Sequence, residues 1–361
     1  MEERNNKNIS FPSEEKNNKL REPREKYSSS ISQTKLLLKE SQKRFFSTEK
    51  HVSKRSFSER YGLYSGENFS GFKVTLHLAE SVIQAVLPWV ILWGGYGFII
   101  SLFNYSGDLS KLNSDIKSIP NIIISLNIVL SLLLIFRTNT AHDRHWEARK
   151  LWGGMVNTVR NLARRICLVI EETEPEDRTE KEAVLLLVVA FPVAMKLHLR
   201  REQVSSELSP LMSSSKYQTL INTNHPPLKI AYWIGDYFQH QQERQSIDMF
   251  ELIALHQLLD EMVNILGGCE RILKTPVPLV YTITLKMLLT MYFLMLPWGL
   301  VSGLHWFTGP TLAFLSFILL GIDEIGAEIE EPFGHDPNDL PLDAICLTML
   351  RNVNEIGSSS H

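Results

Sequence analysis

The sequence predicts an all-α integral membrane protein with four transmembrane helices per subunit and a helical cytoplasmic domain. Two observations carry the membrane part. Four apolar segments are long enough to cross a bilayer, and the second runs straight into a basic block. Sixteen residues from Asn121 to Phe136 carry no charge, while the next 29, Arg137 to Arg165, hold seven Arg/Lys against Asp143 and Glu147. Lys and Arg beside a span are retained on the cytoplasmic side. A third observation gives the domain: the region between the second and third segments has helical patterning and no strand-like alternation.

The first 65 residues are polar and predict disorder. Residues 1–60 carry 15 Arg/Lys and 9 Asp/Glu among many Ser and Asn, which leaves little apolar surface to offset chain entropy. The segment lacks the short apolar core of a secretory signal. Membrane helices 1 and 2 occupy residues 66–136. The first runs from about Val82 to Phe103, and some 20 helical residues suffice to cross a bilayer. Trp89, Trp93 and Tyr96 suit an interface. The second runs from Ile119 to Phe136, where Asn127 and Ser131 suit a helix contact better than lipid.

Residues 137–278 form the helical cytoplasmic domain. Its apolar run Ala183 to Met195 is 13 residues long and contains Pro192, so it reads as a buried helix and not as a span. Glu147 lies three residues from Arg144, within reach of a helical salt bridge. Gly267 and Gly268 permit close packing, and Pro276 and Pro278 hold the approach to the third span extended. Membrane helices 3 and 4 fill residues 279–322 as an antiparallel hairpin turning near Ser302 and Gly303. Lys286 lies inside the third span, near enough to its cytoplasmic end to snorkel. Residues 323–361 are an acidic cytoplasmic C-terminal region.

Charge sets the topology. Residues 41–60 hold six Arg/Lys against Glu49 and Glu59, which places the N-terminus in the cytoplasm. Two spans then put the Arg137–Arg165 block inside, and two more return the C-terminus inside. Cys167, Cys269 and Cys346 are scattered without CxxC spacing, which gives zinc-finger and redox readings no support. No nucleic-acid partner is indicated; the partners expected are membrane lipid and small inorganic ions.

Three ordered blocks carry a family resemblance: FRTNTAHDRHWEARKLWG from Phe136, LGGCERILKTPVP from Leu266, and EEPFGHDPNDLPLD from Glu331. Over roughly residues 70–355 the chain resembles the bestrophin channels, especially their prokaryotic members. The resemblance implies a pentameric, passive ion channel with one axial pore, with chloride or other anions the expected cargo and a cation-selective channel of the same fold the alternative. It implies that Ile128, Leu132 and Phe136 form the hydrophobic neck, with Arg137 and Asn139 at the inner pore mouth. The spacing agrees, since residues four apart share a helix face and an apolar constriction gates by dewetting.

In animal bestrophins an acidic loop after the PFG turn belongs to a calcium clasp. Here Pro332-Phe333-Gly334 leads into His335-Asp336-Pro337-Asn338-Asp339, and Asp336 and Asp339 match carboxylate positions as candidate calcium ligands. His335, Pro337 and Asn338 interrupt the acidic run, so calcium is not expected to be required. The wider acidic series from Asp323 to Asp343 is expected to pair with the Arg block or to cap helices. No other cofactor or metal is expected. Two rival readings remain: a membrane-anchored scaffold or receptor, and a membrane enzyme using the acidic run with His142 or His335 and a metal. A bacterial plasma membrane is the first expectation for location, a thylakoid or other organellar membrane the second.

Overall fold

A computed structural model describes residues 71–106, 119–172, 175–336 and 338–359. The expected N-terminal disorder, the basic cluster at 41–60 and Pro337 lie outside the described residues. The described chain is built from helices. In order they are α1 (Gly71–Tyr105), α2 (Ile119–Val169), α3 (Pro175–Leu199), α4 (Ser214–Ile221), α5 (Pro226–Glu243), α6 (Met249–Lys274), α7 (Leu279–Leu304), α8 (Thr308–Glu330) and α9 (Leu342–Ser359), with 3₁₀ turns at Ser206–Leu211 and His305–Phe307.

α2 organises the fold. It is 51 residues long and does not stop at Phe136 as the hydropathy break suggested. Hydropathy reports the solvent around a helix, whereas the backbone continues because no proline interrupts 137–169. Gly153 and Gly154 cost only about 1 kcal/mol each in a helix interior. The buried positions of α2 recur at three- and four-residue steps, with one double step between Ala141 and Ala148: Leu130, Leu134, Arg137, Ala141, Ala148, Trp152, Met155, Val159, Leu162 and Ile166. The first residues of this stripe pack in a membrane core with Trp93, Leu285, Leu289, Tyr292, Phe293, Leu296 and Leu312. Those from Ala148 onward pack in a separate core built from α3, α5, α6 and α9. One helix therefore serves two cores of different surroundings.

The four spans are α1, the first part of α2, α7 and α8. The helix Glu176–Leu199 is also long and apolar, but 78% of its apolar stretch is buried inside the protein, against 22–28% for the others. It is a core helix, as the short run around Pro192 implied. The link between α7 and α8 is the 3₁₀ turn at His305–Phe307, so α7 extends past Ser302 and Gly303 to Leu304. α8 runs on through Glu330, and the expected boundary at residue 322 falls inside it.

α1 packs against α8 at small residues. A Cβ on Gly97 would stand 3.1 Å from Gly309 Cα and 3.2 Å from Thr308 O. Such positions let backbones approach closely where lipid supplies no hydrophobic drive. Trp93 is buried against Phe293, with ring centroids 5.3 Å apart. The Tyr96 hydroxyl accepts from Trp298 Nε1 at 3.0 Å and donates to Leu294 O at 3.1 Å, fastening α1 to α7. Gly268 meets Leu151 of α2, where a Cβ would come within 3.0 Å; Gly267 meets nothing.

Candidate functional site

Opposite its buried stripe, α2 carries a second line with the same three- and four-residue spacing. Ile128, Leu132 and Phe136 are 65%, 52% and 54% exposed in the subunit. The line continues through Asn139, Asp143, Trp146, Lys150, Gly153, Asn157, Arg160 and Arg164, all exposed. The face is apolar through the span and cationic beyond it, with three cations against Asp143. Arg149 and Lys150 both lie over the Trp146 ring, 5.9 and 5.7 Å from its centroid, within cation–π range. Asn127 and Ser131 are exposed beside the apolar part.

Sequence placed Ile128, Leu132, Phe136 and Asn139 at the pore, and read Asp143 and Lys150 only as part of the basic block. The rest are legible once the helix is extended past Phe136, because the spacing is unbroken. Taking Arg137 as the first residue beyond a helix hid them.

Arg137 does not share this face. Its guanidinium is buried and paired with Asp323 of α8, with side-chain exposures of 3% and 7%. The placement at the inner mouth expected for Arg137 is therefore corrected, while Asn139 lies on the exposed line. The register explains why: Arg137 falls on the buried stripe between Leu134 and Ala141. Lys286 is exposed on α7 and close enough to act electrostatically on Asp323.

Arg144 is also not where the spacing suggested. It makes no pair with Glu147. Its Nη2 donates to Ile272 O at 2.8 Å, its Nε to Glu330 O at 3.3 Å, and its Nη1 to Thr275 O. One guanidinium thus serves carbonyls at the ends of α6 and α8, where backbone acceptors lack helical partners. Glu330 Oε1 accepts from Val277 N at 3.0 Å, which fixes the start of the third span. Glu147 instead pairs with Arg271 of α6 at 2.6 Å, on the surface.

The acidic series is distributed among protein partners. Asp343 accepts from Lys196 at 2.7 Å and from Arg200 at 3.1 Å, docking α9 on α3. Burial opposes the charge on Asp343, but Lys196 and Arg200 outweigh it and lower its pKa below the usual carboxylate range. In the loop, Asp339 is buried and its Oδ2 accepts from Asp336 N at 2.6 Å, while Asp339 N donates to Asp336 O at 3.0 Å. The loop is closed on itself, and the Asp336 side chain is exposed. Around it, His335 Nε2 lies 2.6 Å from Glu202 Oε1, Asn338 donates to Glu328 Oε2, and His145 Nε2 lies 3.2 Å from Asn338 O. His142 and Asp143 are exposed neighbours 4.0 Å apart. His142 and His335 therefore have separate partners, and the metal-enzyme reading finds no common centre for them among the described residues.

Comparison with known proteins follows the same outline. The family described as "Bacterial/Fungal Bestrophin protein" matches residues 65–355. A voltage-dependent anion channel-forming protein from Nostoc sp. is 48% identical over 289 residues, covering 80% of this chain and 92% of that protein. One from Synechocystis sp. is 43% identical over 283 residues, covering 78% of this chain and 90% of that protein. The crystal structure of a bacterial bestrophin homologue from Klebsiella pneumoniae, carrying a tyrosine-to-alanine mutation, matches with a TM-score of 0.67 at 26% identity. That match covers 77% of this chain and all of the other. The sequence match, the four spans and the shared helical fold agree: the chain is a multi-pass integral membrane protein that belongs to the bestrophin family.

Proposed function

We propose that the protein is an anion channel in which five subunits surround a pore lined by the exposed face of α2. The observation that carries this is the continuity of that face. Ile128, Leu132 and Phe136 lead into Asn139, and then into Lys150, Arg160 and Arg164. Repeated around an axis, the first three make a dry constriction. The cations beyond it make a positively charged vestibule that concentrates anions. The names of the Nostoc and Synechocystis relatives support an anion cargo. The passive movement of ions through such a pore needs no catalytic group.

The deciding experiment is reconstitution of purified protein in planar bilayers with a tenfold chloride gradient. A reversal potential near the chloride equilibrium value is expected. Reversal near the cation value would establish the cation-selective alternative, and absence of unitary currents would favour the scaffold or receptor reading.

Assembly is testable separately. Neck residues exposed in one chain acquire a role only around an axis, so a closed cyclic oligomer is expected. The detergent-purified protein should have a mass of about five 41.4 kDa chains after correction for bound detergent. A monomer or dimer that still conducts would defeat this arrangement.

Opening should not require micromolar calcium. Asp339 is buried with its Oδ2 closing its own loop, and a calcium site needs six to eight oxygens. Single-channel activity should change little as cytoplasmic calcium is buffered from nanomolar to millimolar. A steep rise abolished by Asp336→Ala and Asp339→Ala would overturn this reading of the loop.

A further inference from the structure

We propose that His198, His225 and Glu270 form a binding site for a transition-metal ion of the zinc class in the cytoplasmic domain. None of the three residues belongs to α2. His198 lies in the last turn of α3, His225 is the N-cap of α5, and Glu270 stands near the end of α6. Residues far apart in sequence are thus brought together by three helices of one core. No sequence spacing announces them.

Their ligand atoms all lie within 4.8 Å of one another, and the three residues are half-buried. His198 Nε2 and His225 Nε2 each stand 2.8 Å from the same oxygen, Oε1 of Glu270. The two rings lie against each other, with centroids 4.5 Å apart. Zinc bonds to nitrogen and carboxylate oxygen of about 2.0–2.2 Å in a tetrahedron put neighbouring ligand atoms roughly 3.3 Å apart. Opening each imidazole–carboxylate contact by about half an ångström, with the two Nε2 atoms brought to the same spacing, admits the ion.

The donor chemistry selects the class. Two imidazole nitrogens and one carboxylate suit zinc and its first-row neighbours, whereas calcium and magnesium take mainly oxygen ligands. Three protein ligands leave the fourth position to water. A supporting contact is also present: Lys274 Nζ donates to Glu270 Oε2 at 2.9 Å, which orients the carboxylate and leaves Oε1 for the ion. His225 Nδ1 accepts a long 3.4 Å hydrogen bond from Leu228 N. On loading, the imidazole proton moves to Nδ1 and that bond is given up. An ion held here ties α3, α5 and α6 together and stabilises the folded domain by mass action.

The test uses the full-length, detergent-purified protein, first stripped with a chelator and then freed of it. Zinc is titrated by calorimetry, cobalt by its visible absorption, and the melting temperature is followed in each state. The parent should take up one tight zinc per chain, show the intense bands of tetrahedral cobalt, and melt higher when loaded. His198→Gln and His225→Asn should each lose that equivalent or bind it at least tenfold more weakly. The asparagine keeps a good N-cap on α5, so its stripped form should melt near the parent's temperature. The chain has 11 histidines, so the difference between parent and variants is the readout. The proposal is overturned if the stripped parent binds no tight zinc, or if both variants keep its stoichiometry and its cobalt spectrum.

Discussion

Replacing Ile128, Leu132 and Phe136 together with alanine should raise single-channel conductance or open probability about tenfold while the subunits still fold and assemble. The expectation rests on two physical points. The three side chains are more than half exposed in the subunit, so their truncation removes little packing within a chain. A narrow apolar neck excludes water, and its barrier falls as it widens and wets. Lowering a barrier by about 1.4 kcal/mol gives a tenfold gain in flux. Currents from the triple variant that match the parent's, in a complex of unchanged mass, would remove these residues from the gate. Single substitutions should have graded effects, because a constriction of three rings stays dry while one ring persists.

That Ile128, Leu132 and Phe136 share one exposed face was legible because a four-residue apolar spacing and a family resemblance pointed to the same side of the helix. Much of the fold was legible for related reasons. Span length, the basic block after Phe136 and the proline-containing run around Pro192 each map onto a burial requirement that sequence records directly. What sequence records poorly is direction. Both faces of the membrane part of α2 are apolar, so composition alone does not tell the buried Leu130 and Leu134 from the exposed Ile128 and Leu132.

The same limit misplaced two arginines. Arg137 follows the exposed Phe136 in sequence, but at about 100° per residue it points away from the line of Ile128, Leu132 and Phe136 and into the subunit. Arg144 has a carboxylate within helical reach, yet three helix-end carbonyls from elsewhere in the chain claim it. Backbone acceptors at helix ends are invisible to a motif search, because every residue type carries one. The His198, His225 and Glu270 cluster escaped for a third reason: its members converge only through tertiary packing of α3, α5 and α6.

The Arg137–Asp323 pair gives the largest stability effect expected. It is buried where α2 meets α8, one turn beyond Leu133, whose carbonyl accepts from the Tyr281 hydroxyl at 2.7 Å. Removing one partner leaves the other charge buried without its counter-ion, which costs about 3–5 kcal/mol. Arg137→Met and Asp323→Asn should each lower the unfolding midpoint of the detergent-purified oligomer by several degrees. The Asp323→Asn loss should be partly relieved, because the amide still accepts a hydrogen bond from the guanidinium. Joint replacement, Arg137→Met with Asp323→Leu, should recover most of the loss, because a buried pair contributes little net stability over apolar residues that fill its space. Channel behaviour should not follow stability in parallel. The pair fixes the rotation of α2 one residue past Phe136, so the double variant should fold well while its open probability departs from the parent's. A double variant as unstable as the single ones would mean that the site cannot repack around apolar side chains. Single variants with the parent's midpoint would show that the two charges are hydrated in the assembled channel and not buried together as in the subunit.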